Sequence, residues 1–210
     1  MPGRRDWRIL PWMIAPEQDA ARLQEITGRF YSGRITRDEA RSSVIDVVLA
    51  RIGCTRVSLW KFEAHEGELA LLCFASRVAG GALDTSERRL AQSEYRDYFN
   101  ALIERGVFVS GDAMNDPALQ PMREHYLVAN HVMSLLDVAF TLNGRTYGMI
   151  RCEETESARA WRAGDVMALR AIVTRLALLM SDAAESRLWQ TPSRPLQTIA
   201  TEPPPSATRR

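Results

Sequence analysis

The amino-acid sequence predicts an α+β fold, a central and mainly antiparallel sheet of five or six strands with helices packed on its faces. Residues 56–76 and residues 132–153 each contain two strand-like apolar runs separated by a short polar turn, which is the pattern of a β-hairpin. Helical periodicity precedes the first hairpin and follows the second. Hairpins pair antiparallel, and helices that pack on such a sheet define the α+β class. The N- and C-terminal helices are expected to lie together.

Two helices are predicted before the first strand. Apolar residues recur three and four positions apart between residues 23 and 30, which predicts one helix face. Thr36 and Glu39 have the spacing of a capping box, in which the two side chains satisfy free backbone donors at a helix start. Gly53 supplies the end of that second helix.

The middle of the chain alternates between helical and extended segments. A third helix is predicted over residues 93–105 with Ser93 as its N-cap, and a short strand follows over residues 107–109. Asp116 and the proline after it predict the start of a further helix that runs to residue 130, with Pro121 as a point where its first turn can split off.

The second hairpin and the last helix have clear signals. Asn143 and Gly144 form the dipeptide that most strongly predicts a tight hairpin turn. A broad apolar stripe predicts one long helix over residues 165–189. Its stripe is wider than one contact needs, so part of it is expected to pack on the sheet and part on a second copy.

Composition indicates one globular domain and excludes several classes of function. The 210 residues, with 46% hydrophobic and 25% charged side chains, predict an arm at 1–16, a single domain at 17–189 and a disordered proline-rich tail at 190–210. A net charge of +1 gives no field that attracts nucleic acid. No apolar run reaches the roughly 20 residues of a membrane span. We therefore expect a cytoplasmic protein without a nucleic-acid or membrane partner.

Neither a metal site nor a cofactor is expected from the residues. The three cysteines lie far apart and form no pair at ligand spacing, and the histidines lack carboxylate or cysteine partners.

Several segments, in their order along the chain, resemble those of GAF domains such as the ones attached to bacterial sensor kinases. The most specific is the strand pair at residues 132–138 and 147–150 with its Asn-Gly turn, which is similar to the family's pair of late strands. The other segments are residues 56–60, residues 109–113 with the following Asp116-Pro117, and Trp161 before the last helix. At Ala139 the family commonly has proline, a difference that concerns the strand edge and not the fold.

The resemblance implies a sensory module that is not an enzyme. A small molecule would bind in a pocket on one face of the sheet, and the terminal helices of a homodimer would pass the signal to a separate output protein. The aromatic side chains, the polar groups at strand ends and the carboxylates near this face are the candidate ligand-binding residues. They are Trp60, Phe74, Tyr98, Phe99, Asp112, Met122, Tyr126, His131, Ser134 and Asp137.

Asp137 is the least expected of these candidates, because it interrupts an apolar strand. Alternation places it on the same face as Leu135 and Ala139, and a buried carboxylate there needs a cation or several donors.

Two other functions stay open. A pocket filled by the protein's own bulky side chains would favour a ligand-free dimerisation scaffold. A thiol of low pKa at Cys73 or Cys152 would favour a small redox enzyme of the free methionine sulfoxide reductase type. That family has cysteines in the middle loops, and this chain has none between these two positions, which also argues against covalent bilin attachment.

Overall fold

A computed structural model describes residues 11–65, 67–180 and 185–190. Of the predicted arm at 1–16, residues 1–10 lie outside this range and residues 11–16 are part of the first helix. The predicted tail lies outside the range after residue 190. The helices and strands are α1 (Pro11–Tyr31), α2 (Arg37–Ile52), β1 (Arg56–His65), β2 (Glu68–Val78), β3 (Arg88–Ala91), α3 (Arg96–Arg105), β4 (Val107–Ser110), β5 (Ser134–Leu142), β6 (Arg145–Glu154) and α4 (Ala163–Leu179).

The six strands form one sheet in the order β3-β2-β1-β6-β5-β4, and every neighbouring pair is antiparallel. The predicted α+β class is therefore confirmed. The edge strand β3 was not expected from the sequence, because its four residues carry two arginines and no apolar alternation.

Helices cover both faces of the sheet and create two separate apolar cores. On one face α2 and α4 pack against the strands, and α1 packs on α2 and α4, so the terminal helices lie together as predicted. On the other face α3 and the segment at residues 117–128 form a roof over a second core. Leu135 and Ala139 of β5 contact this second core, whereas Leu136 and Val138 contact the first, which confirms the predicted alternation.

The boundaries of α2 are those that its sequence predicts. The Glu39 backbone N–H donates to the Thr36 hydroxyl at 3.2 Å, and the Thr36 N–H donates to the Glu39 carboxylate at 2.7 Å. Gly53 ends the helix with φ of 66°, a left-handed conformation that glycine adopts without steric cost.

The predicted start of α3 at Ser93 is wrong. The Ser93 N–H donates to the Glu68 carboxylate, and the Tyr95 N–H donates to the Ala91 carbonyl, so these residues form a turn that leaves β3. The first helical residue is Arg96, and Tyr95 before it makes no side-chain cap. The unexpected edge strand is the reason, since it holds the chain extended up to Ala91.

The segment after Asp116 is less regular than the predicted helix, and its first part is separated as Pro121 allows. Asp116 caps it as expected by accepting from the Ala118 N–H at 3.0 Å. A 3-10 turn over Pro117–Met122 then passes into a π-helical turn over Arg123–Val128. Pro121 has no N–H to donate, which accounts for the irregular hydrogen bonding.

The last helix is shorter than the predicted 165–189. α4 ends at Leu179, and a 3-10 turn at Glu185–Leu188 follows later in the chain. A straight helix would carry Trp189 roughly 15 Å beyond Leu179. Instead Trp189 is completely buried in the core of the α2–α4 face.

Candidate functional site

A cluster of buried charges lies on the sheet face beneath the roof that α3 and residues 117–128 form. We call it the ion-pair cluster, and it consists of Arg56, Tyr98, Tyr126, Asp137, Arg151 and Glu153. Asp137 and Arg151 are direct cross-strand partners on β5 and β6, and both side chains are 0% exposed. Such charges are tolerated away from water only when they are paired and hydrogen-bonded.

Asp137 has three donors. The Arg151 guanidinium donates from Nε to Oδ1 and from Nη2 to Oδ2, both at 2.8 Å, in a bidentate pair. The Tyr98 hydroxyl donates to Oδ2 at 2.6 Å. The cation and the donors that the sequence demands for this carboxylate are therefore present.

A second pair lies next to the first. Glu153 is 0% exposed, and Arg56 donates to its Oε2 from Nε. The Tyr126 hydroxyl donates to Oε1 at 2.7 Å, and the Arg56 Nη1 donates to the Asn130 carbonyl at 3.3 Å. Tyr126 of the roof thus supplies one hydroxyl to the pair, and Asn130 just after the roof supplies one carbonyl.

Three aromatic rings surround the Arg151 guanidinium. Its carbon Cζ lies 5.0 Å from the Trp60 ring centre, 5.1 Å from that of Tyr126 and 5.6 Å from that of Tyr98. These distances allow cation–π attraction, which is strongest where the cation is desolvated. The arginine side chain therefore occupies the middle of the space in which a ligand would be expected.

Two guanidinium nitrogens in the cluster have no acceptor within the described part of the chain. They are Nη1 of Arg151 and Nη2 of Arg56, and both atoms are buried. A buried donor without a partner costs about 1–3 kcal/mol. Each atom could satisfy an oxygen of a water molecule or of a small ligand.

Burial and the paired charges shift the pKa values of the cluster. Burial, followed by the Asp137 carboxylate, raises the pKa of the Tyr98 hydroxyl well above its ordinary value. Burial, followed by the Glu153 carboxylate, likewise raises the pKa of Tyr126. Burial is the largest single effect and would lower the pKa of Arg151, but Asp137, Tyr98 and Tyr126 together outweigh it, so that pKa is raised. The tyrosines therefore stay neutral and the arginine charged at neutral pH.

The structure brings most of the predicted ligand-binding residues together. Six of the ten lie in the second core or in the ion-pair cluster that adjoins it, all of them buried. They are Trp60, Tyr98, Phe99, Met122, Tyr126 and Asp137.

The other four candidates lie elsewhere. Phe74 packs on the opposite face of the sheet, with its ring centre 5.3 Å from that of Trp189. Asp112 is exposed and accepts from the Asn115 amide, and His131 is exposed with φ of 55°. Ser134 is buried but accepts from the Arg159 backbone N–H at 3.1 Å, outside the cluster.

Sequence reasoning missed three members of the cluster, namely Arg56, Arg151 and Glu153. The signal for two of them exists in β6, where Arg151 and Glu153 alternate with the apolar Ile150 and Cys152. Strand alternation puts both charges on one face, although that face is not identified by the pattern alone.

The thiols of Cys73 and Cys152 are not activated. Burial raises the pKa of the Cys73 thiol to about 12 and that of Cys152 well above its ordinary value. A thiol that remains protonated at neutral pH is a poor nucleophile.

Within the described residues no group of three or more His, Cys, Asp or Glu side chains is placed to hold a metal ion. None of the helices in residues 11–65, 67–180 and 185–190 has the length and apolar character of a membrane span.

Comparison with known proteins places the fold. No protein-family model matches the chain, and no curated protein sequence matches it. Solved structures do match, and one is the chromophore-binding domain of Stigmatella aurantiaca bacteriophytochrome, at 15% identity with a TM-score of 0.62 over 85% of this chain and 63% of that one. This chain thus spans less than two thirds of that domain.

Isolated GAF domains match over most of their length. The phycocyanobilin-bound GAF domain from a cyanobacterial phytochrome is 16% identical over 83% of this chain and 96% of that one, with a TM-score of 0.58. The Thermosynechococcus elongatus PixJ GAF domain is 13% identical over 74% of this chain and 87% of that one, with a TM-score of 0.51. Likeness at this level of identity shows the fold, and the chain therefore has the GAF-domain fold that its motifs predict.

Proposed function

We propose that the chain is a regulatory module of signal transduction that acts as a homodimer through its terminal helices. The observation that carries the proposal is an apolar stripe on the solvent-exposed face of α4. Met167 is 71% exposed and Leu178 is 62% exposed, and Ala171 and Thr174 lie exposed between them. The successive spacings of four, three and four residues are those of a coiled-coil seam.

The surroundings of the stripe fit a second copy of the helix. A cavity of about 560 Å³ lies between α1 and α4 beside Met167, and one of about 440 Å³ lies on the other side of α4 beside Leu178. Two exposed apolar side chains flanked by two grooves allow each helix to insert its side chains into the other. Output to a separate signalling protein would then depend on the dimer.

The ion-pair cluster favours a module that holds no small molecule. Arg151 and Asp137 fill the space between the sheet and its roof, and three rings close around the guanidinium. A ligand in this space would have to separate a bidentate pair with 0% exposure. Enzymatic function is not proposed, because the pKa values of Cys73 and Cys152 are raised rather than lowered.

A second candidate function is small-molecule sensing, since the similar GAF domain from a cyanobacterial phytochrome binds phycocyanobilin. The observation that favours it here is the pair of buried N–H donors on Arg151 and Arg56 that lack acceptors. The 3-10 and π-helical turns of the roof support it as well, since π-helical turns often mark functional sites.

Dimerisation is tested by sedimentation velocity on the wild-type chain and three variants. Met167→Glu and Leu178→Glu each place a charge in the stripe and are expected to give monomers. Val78→Glu is the control, because Val78 is 49% exposed at the end of β2, away from α4. A monomeric wild type, or dimers that survive both stripe substitutions, would contradict the proposal.

Ligand binding is tested by native mass spectrometry of protein purified from its own host, followed by denaturation. An empty homodimer is the expected result. A small molecule released in stoichiometric amount would favour the sensor instead and would identify the class of the ligand.

A further inference from the structure

Trp189 occupies a fitted site on the sheet face opposite the ion-pair cluster. The site has room for the indole because position 148 is glycine. A Cβ atom added there would lie 2.4 Å from the Trp189 Nε1 and 2.8 Å from the Trp60 carbonyl oxygen. Any other residue at this position would displace the indole. The bare backbone of Gly148 therefore forms the floor of the site.

The site recognises both the shape and the N–H group of the indole. Nε1 of Trp189 donates to the Trp60 carbonyl at 2.8 Å. The register of β1 and β2 shifts between Leu59 and Trp60, an irregularity that interrupts the regular ladder where this carbonyl accepts the indole. Phe74 and Phe140 present edge-on rings, each with its centre 5.3 Å from that of Trp189.

Arg41 holds the backbone on both sides of the indole. This arginine of α2 is 3% exposed, and it donates from Nε to the Leu188 carbonyl at 3.1 Å and from Nη2 to the Gln190 carbonyl at 2.6 Å. Burial lowers the pKa of Arg41 to about 10, so its charge is kept at neutral pH. A buried cation and an aromatic slot thus fix the last described segment of the chain, Arg187 to Gln190.

Trp60 belongs to the indole site and to the second core at once. Its carbonyl accepts from Trp189 on one face of the sheet, and its side chain lies against the Arg151 guanidinium on the other. We propose that the site formed by Gly148, Phe74, Phe140 and the Trp60 carbonyl is an indole-recognition site that couples the C-terminal segment to the state of the ion-pair cluster. This coupling does not depend on whether the module is a scaffold or a sensor.

Recognition is tested by Trp189→Gly in the full chain with added indole. The melting temperature is expected to rise with indole and to saturate. Binding of 1-methylindole, which has no N–H, is expected to be about ten-fold weaker, because the Trp60 carbonyl is then left without a donor. Trp189→Gly combined with Gly148→Ala is the matched control and should not respond. A folded Trp189→Gly protein that ignores indole, or a double variant that binds it equally well, would overturn the proposal.

Coupling is tested by adding Trp60→Phe to Trp189→Gly, which alters the cluster but keeps the carbonyl. Indole affinity is expected to fall about five-fold or more, the usual lower end of coupling between sites. Trp161→Phe is the control, since Trp161 lies beneath Arg159 outside both sites. Equal effects of the two substitutions would refute the coupling.

A measurement on the wild-type chain covers the case in which Trp189→Gly does not fold. Hydrogen exchange at the indole N–H of Trp189, assigned by comparison with Trp189→Phe, should be slow because the group is buried and bonded. Trp60→Phe should accelerate this exchange and Trp161→Phe should not. Rapid exchange in the wild type would refute the site.

Discussion

Asp137→Asn should destabilise the fold more than any surface substitution. The change removes the negative charge that faces the Arg151 guanidinium and leaves this cation buried at 0% exposure without a counter-ion. Removing one partner of a buried ion pair costs about 3–5 kcal/mol. In a domain of this size each kcal/mol lowers the melting temperature by about 2–4 °C, so the expected fall is roughly 6–20 °C.

The assay is urea unfolding followed by far-UV circular dichroism and tryptophan fluorescence. The exposed pair of Arg123 and Glu124 supplies the control, because Arg123→Met removes an ion pair that water already screens. That control should lose less than about 1 kcal/mol. Coincident transitions from the two probes would justify treating each variant as two-state.

A double-mutant cycle separates the pair from its surroundings. Asp137→Leu and Arg151→Met each leave the other charge of this pair buried and unpaired, whereas the double variant removes both charges of the pair. The loss in the double variant should therefore be smaller than the sum of the single losses by about 2 kcal/mol or more. If Asp137→Asn costs less than about 1 kcal/mol and the double variant is additive, the cluster is not the dry, closed pair described here.

Three further results are expected. The three thiols should react with Ellman's reagent only after unfolding at pH 8, since all three cysteines are buried and burial raises the pKa of Cys73 to about 12. Gly148→Ala should cost about 1–3 kcal/mol through overpacking and should red-shift the tryptophan emission, whereas an unchanged spectrum would argue against the Trp189 site. The raised pKa of Tyr126 means that the folded state holds the hydroxyl proton more tightly than the unfolded state, so this stabilisation is complete below about pH 10 and decreases above it. The unfolding free energy of Tyr126→Phe should accordingly fall less steeply than that of the wild type between pH 9 and 12.

Local signals in the sequence were sufficient for much of the fold. The capping box at Thr36 and the hairpin turn at Asn143 depend only on residues within a few positions of each other. Both appear where predicted. Signals of this kind predict the structure correctly because the hydrogen bonds involved form between residues within one turn of chain and do not depend on distant parts of the fold.

The pairing of Asp137 with Arg151 could not be derived by counting residues along both strands from the hairpin turn. Near the turn Thr141 lies opposite Thr146, and the same register would place Ile150 opposite Asp137. A shift between Phe140 and Thr141 changes the register by one and brings Arg151 opposite Asp137 instead. Because one residue of register exchanges the two faces of a strand, the partner of this carboxylate depends on an irregularity without a sequence signal.

The end of α4 was missed for a related reason. Apolar residues continue at helical spacing beyond Leu179, and nothing nearby marks the site that receives Trp189. That site depends on Gly148 and on an irregularity beside Trp60, both far away in the sequence. Tyr98, Tyr126 and Asp137 could be nominated from residue type, whereas Arg56 and Glu153 needed the tertiary structure to become partners.

The two outer strands of the sheet bear on how copies of the protein meet. β3 and β4 have only four residues each, and β3 carries Arg88 and Arg89. Short, charged outer strands offer few free backbone groups for another strand to pair with, and they resist uncontrolled stacking of one sheet on the next. When many copies are crowded together, these outer strands therefore give little support to an extended fibre, which is compatible with the closed helical pair proposed above.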